Sequence, residues 1–411
     1  MQIFLYEHIS GGGLASEDLS LSFAAQGFAM LCTMARSLNH AGHSVSFCYD
    51  ARIGEQLLPR GNQKKCVSDE SSWQAAINDL SDSADLGLVI APEDDGVLVE
   101  VLKSIRARGL DVANPETETV AFCSDKINTA NLFEELSIPA PKMIFGTIHD
   151  VLNDSQELRY PVVIKPAISS GATCTFIAHD TGALMEIAHR PEMENRVASF
   201  ILQEYVDGDH GSVSILAGNG KSSILSVNRQ NVSLGTSDSN PGYHGGECPF
   251  EHPAAKKAIA YSRKICGALT GLRGYVGIDF VFHGKEAYPM EINPRLTVSA
   301  IGLERTIGPK GLASIIRCDS GSLPKHPKPS GFAIFEEYID MKRIPESLHH
   351  VDDYARVMVI PGVSSPPIPL PNDSTVVRPY LCGWGPTRDK ARDDLSAIEL
   401  SINTRIEGIS G

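Results

Sequence analysis

The stretch YVGIDFVFHGKEAYPMEINPR, residues 275–295, is typical of two β-strands joined by a tight turn. Apolar side chains take alternate positions in 278–282 and again in 288–292, so each strand presents one apolar face. If both apolar faces pack into the same core, Phe280 must lie opposite Met290 in an antiparallel pair. The rest of the register follows from this one pairing.

This register collects oxygen-bearing side chains on the other face of the hairpin. Asp279 is predicted to lie opposite Glu291, and Gly277 opposite Asn293. The connection around 283–286 must then have an odd number of residues or contain a bulge, because an even loop would place the two acids on opposite faces. A solvated strand face with ordinary acids is the alternative interpretation.

Two carboxylates and an amide oxygen, with no cysteine or histidine, suit a hard cation. We therefore predict that Asp279, Glu291 and Asn293 bind Mg²⁺, for which Mn²⁺ can substitute. Magnesium held in this way usually binds substrate phosphates too, which predicts cationic side chains elsewhere in the chain. Lys126, at the start of a helix, and Lys165, at the end of the strand PVVIK, are the candidates.

A loop of small residues, SSGAT at 169–173, follows Lys165. Small side chains let backbone N–H groups approach phosphate oxygens, so this loop is a candidate phosphate contact. A plain hairpin turn and a solvated strand-end lysine are the alternatives, and each is the commoner case when taken alone.

The first 115 residues alternate strand-like and helix-like segments. MQIFLYE, HSVSFCYD and ADLGLVIAPE have the apolar runs of buried strands, and amphipathic helices are predicted at 21–42 and 97–109. Such alternation predicts a parallel sheet with helices on its faces, an incomplete dinucleotide-binding type of domain. The GGG at 11–13 is not a G-x-G-x-x-G fingerprint and carries little weight alone.

The rest of the chain mixes hairpins with helices. A helix is predicted at about 117–137, and strand pairs within 161–179 and 199–220. Many prolines and short strand-like runs after 325, followed by a helix near 387–406, indicate a small C-terminal subdomain. The predicted domains are 1–115, 116–325 (divided into 116–205 and 206–325) and 326–411.

The composition excludes several classes of protein. The 411 residues carry a formal net charge of −14, which argues against a general nucleic-acid or anionic-membrane surface. The segment MQIFLYEHISGGG has no basic region and no long apolar run, so it is not expected to be a signal peptide, and the sequence has no run of 18 apolar residues. The nine cysteines are scattered without a C-x-x-C pair, so neither a disulfide framework nor a zinc site is expected. We predict a cytoplasmic protein with reduced thiols and no nucleic-acid or membrane partner.

The order of these motifs resembles the ATP-grasp superfamily over about 115–310. A lysine on a helix, a lysine ending a strand, a small-residue loop, the segment ILQEYVDG at 201–208 and the hairpin with E-I-N-P-R follow one another. The resemblance implies an α/β protein with an ATP-grasp fold, α+β in its catalytic part, after an N-terminal Rossmann-like pre-ATP-grasp domain. It also implies ATP and Mg²⁺ as cofactors, small-molecule substrates, and a homodimer as one option.

Carried over onto this sequence, the resemblance gives individual residues a role. Lys126 and Lys165 would hold the ATP phosphates, and Arg295 would lie beside the transferred phosphoryl group. The ribose position, usually acidic, falls on His210, with Asp209 beside it as a substitute. The flexible loop over the phosphates would be formed by Ser169, Ser170 and Gly171, and the hinge at the adenine edge by Gln203, Glu204, Tyr205 and Val206.

A narrower resemblance links the chain to the tyramine–glutamate ligases of methanofuran biosynthesis and to bacterial relatives that make the tyrosine-based methylofuran. It rests on FLYEHISGGG, QGFAM, APEDDGVL, SDKINTANLF, GDHGSVSIL, YHGGECP, EINPRLTVSAIGLER and CGWGPTRDKA. Those enzymes join the γ-carboxylate of glutamate to the amine of tyramine or tyrosine. The resemblance implies an ADP-forming ligase that proceeds through an acyl phosphate.

The long polar segment 228–249 is the candidate for closing the site and for substrate recognition, and a disordered surface loop is its alternative. His244 is the candidate general base, although a lone histidine is more often structural. The predicted catalytic residues are Arg295, Arg229 and Lys165. The predicted substrate-binding residues are Gln230, Tyr243, His244, Gly245, Gly246, Thr297 and Ser299.

Other functions remain open at this level. An ATP-grasp ligase for another amino acid or a peptide has the same motifs. A nucleotide-binding regulatory protein without turnover is the alternative from another class, and the complete set of lysines, acids and arginine argues against it. A biotin-dependent carboxylase component is weaker, because the chain has no biotinyl-lysine motif of its own.

Overall fold

A computed structural model describes residues 1–169, 171, 174–194, 199–317, 323, 328–339, 354–369 and 376–407. Within these ranges the chain forms three main β-sheets with helices packed against them. Ser170, predicted to belong to the phosphate loop, lies outside the described residues.

The N-terminal region is a parallel sheet with helices on both faces. Its elements are β1 (Gln2–Glu7), α1 (Leu21–His40), β2 (Ser44–Asp50), β3 (Gln63–Val67), α2 (Glu70–Asp82), β4 (Leu86–Ile90) and α3 (Val97–Ala107). The strand order is β3-β2-β1-β4. β1 and β4 are apolar almost throughout because α1 covers one face of the sheet while α2 and α3 cover the other. The sequence pattern predicted all of these elements except β3 and α2, whose lysines and serines obscure the apolar periodicity.

Two short helices, α4 (Thr117–Ser124) and α5 (Lys126–Glu135), connect the first sheet to the second. The prediction of one helix over 117–137 was wrong, because Asp125 interrupts it. The Asp125 backbone is extended, and its side chain accepts a hydrogen bond from the Ile127 N–H at 2.8 Å. An aspartate in this position satisfies a free N–H group of the helix end, so α5 begins anew at Lys126.

The second sheet is small and antiparallel. Its elements are β5 (Met143–Gly146), α6 (Ile148–Asn153), β6 (Val162–Pro166), β7 (Phe176–Ala178), α7 (Thr181–Ala188), α8 (Pro191–Glu194) and β8 (Phe200–Glu204), with strand order β5-β8-β6-β7. Side chains of α6, α7 and α8 form one apolar cluster with the strands. This small sheet forms one wall of the cleft described below.

The third sheet has eight antiparallel strands. Its strands are β9 (Asp209–Gly218), β10 (Lys221–Ser233), β11 (Gly242–Cys248), β12 (Gly274–His283), β13 (Glu286–Asn293), β14 (Phe332–Glu337), β15 (Val363–Ser365) and β18 (Tyr380–Gly385), in the order β13-β12-β9-β10-β11-β14-β18-β15. β16 (Ile368–Pro369) and β17 (Val376–Val377) form a separate pair. The helices are α9 (Ala255–Ala268), α10 (Ala300–Ile307), α11 (Pro309–Ala313) and α12 (Arg388–Glu407).

Three strands beyond residue 325, namely β14, β18 and β15, extend this same large sheet, and β14 joins it by pairing with β11. Apolar side chains of α1, α10 and α11 form one cluster with β14 and β18. One core therefore joins the N-terminal region to the C-terminal strands. The helix predicted near 387–406 is α12, whereas the predicted domain boundaries remain a prediction.

The β12–β13 hairpin brings the two acids together as predicted. Asp279 pairs with Glu291, and Gly277 pairs with Asn293. The bulge that this register requires lies within the strands, between Asp279 and Phe280, and not at the turn, which has two residues.

The predicted pairing of Phe280 with Met290 was wrong, because Phe280 pairs with Pro289 and Met290 is the extra residue of the bulge. Ile292 remains in the apolar core, as predicted. Met290 leaves the core face and lines the cleft. A bulge re-aims side chains at one point of a strand, and here it adds a thioether to the binding surface.

Candidate active site

A cleft lies between the small sheet and the eight-stranded sheet. The space between its walls amounts to about 790 Å³, including the part that is open to solvent. Strands of both sheets contribute to its lining. The predicted site residues among the lining residues are Lys165, Gly171, Gln203, Tyr205, Val206, His210, Gln230, Tyr243, Asp279 and Glu291.

Two carboxylates lie side by side on the hairpin within this cleft. Gln230 Nε2 and Asn293 Nδ2 each donate a hydrogen bond to Asp279, at 3.1 Å. Burial, and then the adjacent charge of Glu291, raises the pKa of Asp279 well above its usual value. Burial opposes the charge of Glu291 as well, but two nearby ammonium groups lower its pKa. The crowded acids therefore favour a cationic ligand.

The two ammonium groups belong to Lys126 and Lys165. Lys126 Nζ lies 3.3 Å from Glu291 Oε2 and donates to the backbone oxygen and hydroxyl of Ser169, at 2.5 and 3.2 Å. Burial, and then repulsion by Lys126, lowers the pKa of Lys165 to about 8, although Glu291 and Asp279 act in the opposite direction. Two buried ammonium groups that repel each other favour a polyanion such as a triphosphate.

The donor atoms fit a hard divalent cation. Asp279 and Glu291 offer carboxylate oxygens, and Asn293 is buried beside them. Oxygen-only ligation is the chemistry that Mg²⁺ prefers, and the Asn293 amide can turn its oxygen inward by rotating about a single bond. The described residues contain no group of three or more His, Cys, Asp and Glu side chains suited to a metal. Substrate phosphates and water would therefore have to complete the coordination.

The predicted hinge runs from Gln203, at the end of β8, to Val206. Gln203 Nε2 contacts the Met290 sulfur at 3.5 Å. The N–H groups of Glu204 and Tyr205 both donate to backbone carbonyls at 2.9 Å, and the Glu204 side chain accepts hydrogen bonds from an exposed arginine. Among the described residues, no backbone carbonyl accepts a hydrogen bond from the Val206 N–H, and its predicted contact with the edge of the adenine remains a prediction.

His210 lines the cleft, but the neighbouring Asp209 does not. Asp209 Oδ1 accepts a hydrogen bond from Arg229 at 2.6 Å, and the Arg229 guanidinium lies 5.4 Å from the centre of the Phe250 ring. Adjacent residues of a strand point to opposite faces, so Asp209 and Arg229 lie on the face away from His210 and Gln230. The structure does not bring Arg229 to the cleft, nor does it leave Asp209 free to replace His210.

Arg295 forms a buried ion pair with Glu93 that the sequence analysis missed. Its Nε and one terminal nitrogen both contact Glu93 Oε2, at 2.8 and 2.7 Å. Burial opposes the charge of Arg295, but Glu93 and then Glu291 raise its pKa. Glu93 closely follows β4, and residues at the carboxyl ends of parallel strands tend to meet at ligand sites. That position, in APEDDG, is the signal that could have identified it.

Tyr243 and His244, both predicted to bind substrate, point in different directions. Tyr243 lines the cleft, and burial, followed by the charge of Asp279, raises its pKa. His244 is exposed, and its Nε2 lies 2.9 Å from the Ser233 hydroxyl on the neighbouring strand. Only Tyr243 is therefore placed to contact a ligand in the cleft.

Strand packing accounts for the two glycines that follow. Gly245 has a φ of +108°, and a Cβ atom there would lie 2.0 Å from the Phe335 backbone oxygen. A Cβ atom at Gly246 would lie 2.3 Å from the Arg229 backbone oxygen. Glycine is required at both positions by the close approach of neighbouring strands, whatever the substrate.

Thr297 and Ser299 lie outside the lining of the cleft. Thr297 Oγ1 is 2.8 Å from the Tyr275 hydroxyl, which in turn lies 2.7 Å from the Ser214 hydroxyl. Ser299 is buried at the start of α10. Both residues follow Arg295 closely in the chain, and their predicted contact with substrate remains a prediction.

The segment 228–249 is mostly strand, and its tip bridges the two sheets that form the cleft. Gly235 exchanges backbone hydrogen bonds of 3.0 and 2.8 Å with residues at β7 of the small sheet. Arg190, just after α7, donates to the backbone oxygens of Thr236 and Ser237, at 3.3 and 2.9 Å. This tether is compatible with the predicted closing role.

Comparison with known families agrees with this architecture. A profile of the ATP-grasp domain matches residues 123–299, and a profile of the pre ATP-grasp 3 domain matches residues 43–120. The two matches together span more than half of the chain. The protein belongs to the ATP-grasp superfamily. It is an ADP-forming ATP-grasp ligase, and proteins of this superfamily bind ATP with Mg²⁺.

Individual relatives are distant. The tyramine–L-glutamate ligase of Methanocaldococcus jannaschii is 23% identical over 304 residues, which cover 74% of this ATP-grasp chain and 84% of that protein. Biotin carboxylase from Campylobacter jejuni has a TM-score of 0.70 at 14% identity, over 99% of this chain and 95% of that one. N5-carboxyaminoimidazole ribonucleotide synthetase from Thermus thermophilus has a TM-score of 0.65 at 15% identity, over 98% of both chains. At such identities, the structural likenesses establish the fold alone.

The fold is thus an ATP-grasp fold with a pre-ATP-grasp domain, as the motifs predicted. Across the part of the chain that the structure describes, no helix combines the length and apolar composition needed to cross a bilayer.

Proposed function

We propose that this ligase joins the γ-carboxylate of glutamate to the amine of tyramine or tyrosine, in methanofuran or methylofuran biosynthesis. The similarity to the tyramine–L-glutamate ligase of M. jannaschii supports glutamate and tyramine as substrates. The observation that carries the proposed chemistry is the buried contact of Lys126 with Glu291 beside Asp279, because it sets paired cations against paired acids in one cleft. We retain a homodimer as the proposed oligomeric state, which light scattering tests.

In the first step the glutamate carboxylate attacks the γ-phosphoryl group of ATP and forms an acyl phosphate and ADP. Lys126 and Lys165 would bind phosphate oxygens and offset their charge. Asp279, Glu291 and Asn293 would hold Mg²⁺, which when bound supplies Lewis-acid stabilisation. Phosphoryl transfer depends on positioning and charge neutralisation more than on covalent chemistry, which is what these residues offer.

In the second step the amine attacks the acyl carbon, phosphate leaves, and the nitrogen loses a proton. Tyr243 has a raised pKa, so its hydroxyl keeps its proton near neutral pH and can donate a hydrogen bond to a substrate oxygen. His244 faces Ser233 and does not line the cleft, which argues against the role of general base. We assign the amine proton to no residue.

Water would hydrolyse the acyl phosphate, so the site has to be closed during turnover. The tip of the β10–β11 hairpin supports a closing role, because Gly235 and Arg190 connect it to the small sheet. The same segment would limit the space for the amine. An ATP-grasp ligase for another amino acid or a peptide has the same requirements and is the second candidate. The third candidate is a nucleotide-binding regulatory protein, which needs neither a closed site nor space for an amine.

The test is ADP release by the purified protein with Mg²⁺, ATP and glutamate, adding tyramine or tyrosine in turn and weighing the products by mass spectrometry. Amine-dependent ADP release with a glutamyl-tyramine or glutamyl-tyrosine mass supports the proposal and identifies the amine. ADP release with neither product would shift the search to other acids and amines. Nucleotide binding without turnover on any acid and amine would favour the regulatory alternative.

A further inference from the structure

We propose that Glu93, which belongs to the pre-ATP-grasp region, is a positioning residue that aims Arg295 at the γ-phosphoryl group. The inference rests on the proposed function in one respect: it takes Arg295 to be the residue beside the transferred phosphoryl group. It goes further by assigning a role to a residue outside the ATP-grasp motifs, in the loop that follows β4.

The geometry of the guanidinium carries the argument. An arginine has five N–H groups in a rigid plane. In Arg295, the side with Nε and the terminal Nη2 is bound to a single oxygen of Glu93, at 2.8 and 2.7 Å. Nη1 also donates to the Leu296 backbone oxygen, at 3.3 Å. The end of the fork, between Nη1 and Nη2, remains directed away from Glu93, and this is the edge that binds two oxygens of a phosphoryl or carboxylate group.

Burial leaves the pair little freedom. The Arg295 side chain is 12% exposed and the Glu93 side chain 5%. Arg295 lies two residues after Asn293 and four after Glu291, both predicted metal ligands, so its orientation is coupled to theirs. A lysine could not replace it, because a point charge bound to Glu93 has no second edge to offer a ligand.

A second arginine–glutamate pair provides a control, although only its glutamate is buried and the Arg36 side chain is 44% exposed. Arg36 contacts Glu304 through Nε and a terminal nitrogen, at 2.9 and 2.7 Å, and the Glu304 side chain is 9% exposed. Neither pair contributes to the lining of the candidate active-site cleft, but Arg295 lies near enough to Glu291 for that carboxylate to raise its pKa, whereas Arg36 and Glu304 line a separate pocket. Replacing Glu304 by glutamine thus disturbs a similar ion pair without touching Arg295.

The experiment compares the binding of MgADP with that of magnesium and a non-hydrolysable ATP analogue, by calorimetry. We expect Glu93→Gln to weaken binding of the analogue about tenfold and binding of ADP less than twofold, because only the analogue has a γ-phosphoryl group. Glu304→Gln should change neither affinity. Glu93→Asp should retain more of the discrimination than Glu93→Gln, since it keeps the charge. A residue that serves only packing predicts the reverse order, because glutamine has the shape of glutamate.

The inference would be overturned if Glu93→Gln weakened binding of ADP and of the analogue equally, or if Glu304→Gln showed the same selective loss. It would also be overturned if Glu93→Gln discriminated between the two nucleotides better than Glu93→Asp. The double variant Glu93→Gln/Arg295→Met should bind the analogue no more weakly than Arg295→Met alone, because the two residues act together. Additive losses would also overturn it. These binding tests need neither glutamate nor an amine, so a failure of the proposed substrates leaves them decisive.

Discussion

Two buried ion pairs near the active-site cleft differ in how they are bonded. Lys126 meets Glu291 at a single distance of 3.3 Å, and both residues are predicted to bind parts of MgATP. Arg295 instead forms two shorter bonds to one oxygen of Glu93. A single long contact can separate when phosphate and metal arrive, whereas a doubly bonded pair keeps its geometry. We infer that the Lys126–Glu291 pair is an exchangeable contact, which ligands can replace, and that the Arg295–Glu93 pair is a fixed support.

The largest expected effect comes from removing charged side chains of the predicted nucleotide site. Lys165→Ala and Glu291→Ala should each lower turnover roughly 10³-fold, because each removes charge stabilisation from the phosphoryl-transfer site. The circular dichroism spectrum should stay close to that of the unchanged protein. Glu291→Gln should also raise the Mg²⁺ concentration needed for half-maximal activity. Near-normal activity of either alanine variant would refute the site assignment.

Removing the carboxylate of Asp279 and removing that of Glu93 should change the free energy of unfolding in opposite directions. Asp279→Asn should raise the free energy of unfolding by about 1 kcal/mol in the absence of ligands, because it relieves a crowded buried pair at the expense of function. Glu93→Gln should lower it by about 3 kcal/mol, because a buried guanidinium loses its counter-charge. Urea denaturation without nucleotide measures both values. Equal signs would remove the distinction between exchangeable and fixed pairs.

The tip of the β10–β11 hairpin allows a test of whether this segment closes the active site. Arg190→Ala should raise the amount of ADP released per amide formed by about tenfold, because water gains access to the acyl phosphate when the tip leaves the small sheet. Parallel assays of ADP and product mass give this ratio. Arg108→Ala, which removes an exposed arginine paired with Asp82, is the control and should leave the ratio unchanged. An unchanged ratio in Arg190→Ala would exclude the tether from closure.

The smallest expected effect is the uptake of a proton by Lys165 when ATP binds. The pKa of Lys165 is lowered to about 8 in the free protein, and bound phosphate favours its charged form, so ATP binding should raise this pKa again. Affinity should therefore fall as the pH rises through 8. At pH 8.5, binding should take up about 0.8 proton, which calorimetry in buffers of different ionisation enthalpy measures. Lys165→Arg stays charged at this pH and should abolish the uptake. Persistent uptake in that variant would assign the proton elsewhere.

The same lowered pKa has a consequence for folding stability. Between pH 8 and the ordinary lysine range, the unfolded chain binds this proton and the folded chain does not. The contribution of Lys165 to the free energy of unfolding should thus increase with pH in that window and be constant below it. ATP affinity and ligand-free stability should consequently respond to rising pH in opposite directions.

Local pattern in the sequence was sufficient to predict the strands of the hairpin and its pair of acids. Alternation has a period of two, so one apolar face defines the polar face, and Asp279 came to lie opposite Glu291 as expected. The same reasoning failed at Met290, because a bulge shifts the register by one residue and alternation does not reveal where it occurs.

The sequence pattern also did not predict which side chains of β10 point into the cleft. Arg229 and Gln230 are neighbours, so only one of them can point into the cleft, and the sequence offered both. The pairing of β10 with β9 and β11 decides it: Gln230 reaches Asp279, whereas Arg229 binds Asp209 on the other face. The glycines of β11 likewise owe their identity to strands that come near only in the folded sheet.

By itself the sequence determined the order of motifs and the superfamily, because each motif is a short continuous segment of the chain. Tertiary structure alone decided that Glu93 supports Arg295, that the tip at Gly235 meets β7, and that α1 shares a core with β14 and β18. Those contacts join residues far apart in the chain. Only packing and the need of each buried charge for a partner bring them together.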